Sequence, residues 1–160
     1  MSFRITGLDP AQFRALYSLS DAELAQRKIV RVVADEKPGF PCRVTLRDAE
    51  PGERVLLLNY EHQPAESPYR SSHAIFVIEN ANERYDEIDS VPEALRVRLL
   101  SVRSFDAGGM MLDADVLEGA ALETAIPRFF ADERAEYLHV HNAKRGCFAA
   151  RVDRDTDSQR

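Results

Sequence analysis

Residues 97–118, VRLLSVRSFDAGGMMLDADVLE, decide how this chain is read. Two apolar-rich runs flank Ala107-Gly108-Gly109, and glycines at the tip between such runs predict a β-hairpin. Further on, AEYLHVHNA and CFAARVD flank Lys144-Arg145-Gly146 and predict two more strands. Between the two pairs lies EGAALETAIPRFFAD, where Leu122, Ile126, Phe129 and Phe130 fall on one side of a helix. Pro127 sits inside that pattern and is expected to kink or split it.

The N-terminal half continues the pattern. Phe3–Thr6 reads as a strand, and GLDPAQFRALYSL as a helix capped by Asp9 with Pro10 at its first position. Ser20 and Glu23 have capping-box spacing, with Leu19 and Leu24 as a hydrophobic staple, so a short helix starts at Ser20. KIVRVVAD reads as a strand. CRVTLRD alternates Cys42, Val44 and Leu46 against Arg43, Thr45 and Arg47, which predicts a half-buried strand. RVLLLNY and AIFVIE are apolar on both faces and predict central strands, joined by the polar loop EHQPAESPYRSSH. The segment NANERYDEIDSVPEALR is expected to be irregular, with one helical turn after Pro92. Many short strands and few helices predict an α+β fold: a mainly antiparallel sheet packed by two or three helices. One domain is expected over residues 1–154, with a disordered tail over 155–160.

Charge and composition narrow the function classes. A net charge of −6 and the absence of any Lys/Arg cluster disfavour nucleic acid as a partner. No run approaches a membrane span, and MSFRITGLDP lacks the features of a signal peptide, so a cytoplasmic location is expected. Cys42 and Cys147 are expected to be free thiols, and their spacing is not that of a zinc site. No motif names a cofactor, and no G-x-G-x-x-G joins a strand to a helix.

Three longer stretches, KPGFPCRVTLRDAEPGERVLLLNYEHQP, SPYRSSHAIFV and YLHVHNAKRGCFAARVDR, with the SFRITGL start, resemble the bacterial domain of unknown function 1203 family. The resemblance runs from Phe3 to Arg154. It implies a bacterial single-domain protein and assigns no catalytic residue.

Candidate chemistry gathers in two places. On the strand YLHVHN, alternation puts Tyr137, His139 and His141 on one face. Two imidazoles so spaced can chelate a metal, with Asp113 and Asp115 as further ligands if their strand lies alongside. The alternative is that these are solvated or satisfied polar residues. Cys147 beside His139 or His141 could form a nucleophile–base pair, or it could be an inert buried thiol. The second place is the loop carrying Tyr69, Arg70, Ser71, Ser72 and His73, with Tyr60 and His62 leaving the preceding strand. With Asn142, these residues could form a pocket for a small anionic molecule in which Arg70 clamps the anion and His139 or His141 moves a proton. Three readings follow: an anion-binding protein or enzyme, a metal-dependent enzyme using His139 and His141, and a non-catalytic interaction module.

Overall fold

The computed structural model describes residues 1–156. Its nine strands are β1 (Phe3–Thr6), β2 (Val30–Val33), β3 (Arg54–Gln63), β4 (Ser71–Ile78), β5 (Asp86–Ile88), β6 (Leu99–Phe105), β7 (Met111–Glu118), β8 (Tyr137–Asn142) and β9 (Phe148–Arg154). Six of them form one antiparallel sheet in the order β5-β1-β9-β8-β6-β7, and the other three form a second in the order β2-β3-β4. Three short helices complete the α+β fold: α1 (Asp21–Gln26), α2 (Glu93–Arg96) and α3 (Leu122–Phe130).

The large sheet has two unlike faces, and its register shows why. Residues paired across strands share a face, so Ile5, Val152, Leu138 and Ser104 form one row, and Thr6, Arg151, His139 and Arg103 form the next on the opposite face. The first face is apolar and packs against α3, which buries Leu122, Ile126, Phe129 and Phe130 there. The second face is polar and turns toward the small sheet: Gln63 of β3 donates to the Tyr137 hydroxyl at 2.9 Å. A second apolar core lies under the small sheet, where Val55, Leu56, Ile75 and Val77 meet Phe13, Leu24 and Val44.

Pro127 neither splits nor ends α3, which runs from Leu122 to Phe130 as one element. A proline in a helix interior costs about 3 kcal/mol. Four large apolar side chains anchored on both sides of it return about 1.5–3 kcal/mol each on burial, which outweighs that loss. The Ser20/Glu23 capping box forms in both directions, at 3.2 and 2.9 Å.

Four local expectations are corrected. Residues 10–16 wind as two three-residue 3-10 turns instead of a helix, with Asp9 capping Ala11. Their bonds run i→i+3, because the segment is held between Leu8, tied to the Arg43 carbonyl, and Tyr17, whose hydroxyl donates to the Ala81 carbonyl. Residues 42–48 are not a ladder strand. Their backbone groups go singly to Leu8, Phe76 and Tyr85, and Leu46 takes a left-handed φ of 52°. The loop expected between the two central strands is shorter, residues 64–70, because β3 and β4 keep pairing beyond Tyr60 through a bulge. The segment expected to be irregular contains β5, which pairs with β1. Of the tail expected over 155–160, Asp155 is buried and its N–H donates to Ser2, while residues 157–160 lie outside the described residues.

Candidate functional site

Strand β8 places Tyr137, His139 and His141 on the polar face of the large sheet, as alternation predicts. The small sheet supplies His62 from β3. Its ring centroid lies 6.0 Å from that of His139 and 5.0 Å from that of His141, and it stacks on Phe148 of β9 at 5.3 Å. Three imidazoles are therefore packed around one phenyl ring at the junction of the two sheets. All three are buried. Desolvation holds them neutral, with pKa values lowered to about 3 for His139 and about 4 for His62 and His141. His62 shares a hydrogen bond with the Ser71 hydroxyl at 3.0 Å, and His141 Nδ1 one with the Gly146 carbonyl at 2.9 Å. The Nδ1 atoms of His62 and His139 have no partner among the described residues. A groove of about 340 Å³ reaches His62 and His139 beside Tyr60, Arg84 and Arg151.

The aspartates do not join this cluster. Asp113 pairs with Ser104 and Asp115 with Val102, the row of Leu138 and Val140, so both aspartates leave the sheet on the side away from the histidines. Asp115 instead pairs with Arg128 at 3.1 Å, and Asp113 accepts from the Ala114 N–H. Strand β6 also lies between β7 and β8. The His/Asp set expected to bind a metal is thus not assembled, and no group of three or more His, Cys, Asp or Glu among the described residues is placed to hold a metal ion.

Arg70 does not clamp this site either. It is exposed and turned to Glu61, at 3.3 and 3.5 Å. Tyr69 and Ser72 are exposed with it, and Ser71 contributes only its bond to His62.

A different arginine is buried. Arg43 is 2% exposed and makes no ion pair with a carboxylate among the described residues. Its Nε donates to the Phe148 carbonyl at 2.7 Å and one terminal nitrogen to the Pro41 carbonyl at 2.6 Å. The other terminal nitrogen donates to Cys147 Sγ at 3.0 Å. Burial lowers its pKa, the direction expected of a cation taken out of water. Cys147 also receives the Asn142 side-chain amide at 3.6 Å. The Asn142 side-chain oxygen Oδ1 is buried without a hydrogen-bond partner among the described residues. The expected Cys–His pair is therefore an Arg–Cys–Asn group. No hydrogen bond joins Cys147 to either histidine among the described residues.

Arg43, Asn142 and Cys147 line a cleft of about 590 Å³ whose rim carries His73, Lys144 and Arg145. Lys144 and Arg145 are exposed and make no ion pair among the described residues. Arg98 also borders the cleft but is neutralised by buried Asp48, through bonds of 2.9 and 2.5 Å. Three cations are thus left facing Glu36, the single acid of the lining. The rim cations sit on the β8–β9 turn, which closes at Gly146 with a φ of 78°.

Residues 39–154 match the family DUF1203, described as protein of unknown function. The chain belongs to that family. The matched region ends at Arg154, where the resemblance ends, but begins at Gly39, after β1, α1 and β2. Arg43, His62, His139, Asn142 and Cys147 all lie within it. No curated protein and no solved structure matches the chain significantly. In this DUF1203 protein the residue that sequence reasoning missed is Arg43. It alternates with Cys42 and Val44, which reads as the solvent face of a strand, and nothing local signals that the segment leaves the ladder and turns the guanidinium inward.

Proposed function

We propose that this DUF1203 protein binds a small anionic molecule, a carboxylate or a phosphate, in the cleft beside Arg43. The observation that carries the reading is a guanidinium 2% exposed with no carboxylate counter-ion, lining a cleft whose rim adds Lys144 and Arg145. A buried charge is costly unless it is compensated, and an anion in the cleft would compensate it. Three of the five guanidinium N–H groups are used within the protein, so two remain for a ligand. The unpartnered Asn142 oxygen offers an acceptor to a hydroxyl or amide of the same ligand. His73 at the rim adds an imidazole that can hydrogen-bond the same ligand.

The test is thermal denaturation in phosphate, citrate and chloride at matched ionic strength. Phosphate or citrate should raise the melting temperature beyond chloride. Lys144→Gln with Arg145→Gln should abolish most of that gain while leaving the melting temperature in chloride unchanged. Arg70→Ala should behave as wild type. Equal stabilisation by all three salts would overturn the reading.

A further inference from the structure

We propose that Cys147 is a nucleophile of the same cleft and attacks small carboxylates that carry an electrophilic carbon. Three observations meet at its sulfur. Arg43 donates to it at 3.0 Å, so a cation stands where negative charge resides during attack. Asn142 approaches it at 3.6 Å, and the oxygen of that amide is left unpartnered in the cleft wall. Cys147 is one of the residues lining the 590 Å³ cleft, so a ligand held there lies beside it. Cys42 is the internal contrast. It is buried beneath the small sheet, accepts the Ile78 N–H at 3.2 Å, and lines neither described cavity.

The choice of a carboxylate rests on the anion-binding reading; the nucleophilic role of Cys147 does not. Arg43 is a positioning residue, holding the sulfur and balancing its charge. In the reaction the thiol proton leaves to solvent and the sulfur lone pair forms a bond to the electrophilic carbon. The bond from that carbon to its leaving group breaks, and the group departs with the electron pair. With iodoacetate the products are S-carboxymethyl Cys147 and iodide.

The folded full chain is treated in parallel with iodoacetate and with neutral iodoacetamide, and modification at each cysteine is followed by peptide mass spectrometry. Cys147 should be modified and Cys42 spared by both reagents. The iodoacetate-to-iodoacetamide rate ratio at Cys147 should exceed that of glutathione by about ten-fold, the scale of electrostatic enrichment in a charged cleft. Phosphate should protect Cys147 from iodoacetate. Lys144→Gln with Arg145→Gln should bring the ratio down toward that of glutathione. Arg43→Met should slow both reagents and Arg43→Lys should restore them, a rescue that a purely structural role would not produce. If the Arg43 variants fail to fold, the rim variant still decides. A Cys147 that neither reagent modifies in the folded chain overturns the nucleophile, even if phosphate still raises the melting temperature. A Cys147 modified with the glutathione ratio overturns the substrate class, and a missing phosphate shift alongside it locates the failure in the anion reading.

Discussion

His139 contacts Phe105, Tyr137, Phe148 and two other imidazoles, with ring centroids between 5.1 and 6.4 Å. Such a site tolerates a neutral ring and opposes a charged one. Two guanidinium groups oppose charging of the cluster: Arg103 acts on all three rings and Arg151 on His139. The three folded-state pKa values lie below the ordinary 6.5. The unfolded chain therefore takes up protons first as the pH falls. The histidines' contribution to stability is complete above about pH 6.5 and is lost between there and about pH 4 for His62 and His141, and about pH 3 for His139. Each lowering corresponds to at most roughly 3–5 kcal/mol, against a total stability on the order of 10 kcal/mol. Urea denaturation at a series of pH values should show stability falling steeply below pH 6. His139→Phe, which keeps a ring and removes a titrating group, should reduce that slope by about one third. Arginines contrast at the same scale. Arg43→Ala strands the Phe148 and Pro41 carbonyls and should cost on the order of 3 kcal/mol, whereas Arg70→Ala removes a solvent-facing pair and should change stability by less than about 0.5 kcal/mol.

At the scale of elements, α3 and the β8–β9 turn make opposite predictions for substitution by alanine. Pro127 is exposed and withholds one backbone N–H from an otherwise regular helix. Pro127→Ala should raise the free energy of unfolding by about 1–3 kcal/mol, the restored bond being partly offset by a freer unfolded chain. Gly146 has open space around its α-carbon and a left-handed φ, so Gly146→Ala should cost about 1 kcal/mol from backbone strain alone. Chemical denaturation of the two variants checks both signs. These elements were legible because their signals are local. Glycines between apolar runs mark the β6–β7 hairpin, and Ser20 with Glu23 marks the start of α1. Residues 42–48 were not legible. Cys42, Val44 and Leu46 are buried just as their alternation predicts, but by a folded-over segment that bonds to itself and to residues 8, 76 and 85. Periodicity records which side chains are buried and is silent on which partners the backbone finds.

At the scale of the whole molecule, the candidate site is a product of two sheets meeting. His139 and His141 could be read as neighbours from their strand, whereas His62 joins them only through the packing of the small sheet on the large one. The same packing brings Arg43 to Cys147, 104 residues away in the chain. Function at this junction was legible as residue types and not as a constellation, because each contact joins residues far apart in the sequence. The junction also predicts cooperativity. Acid charges the imidazoles that lie between the sheets, so both sheets should unfold together, and far-ultraviolet and near-ultraviolet circular dichroism should follow coincident acid transitions. Separate transitions would show that the sheets are stable independently.

The place of β1 in the large sheet has a consequence for how the chain is made. Phe3–Thr6 lie between β5 and β9, and β9 is formed by residues 148–154, so β1 leaves the ribosome long before that partner. β1 must therefore wait for β9. Until Arg154 has cleared the exit tunnel, β8 lacks one neighbour and β1 has only the three residues of β5 to pair with. Closure of the large sheet follows the emergence of Arg154, and a ribosome stalled before that point holds a chain whose histidine and arginine chemistry has not yet been assembled.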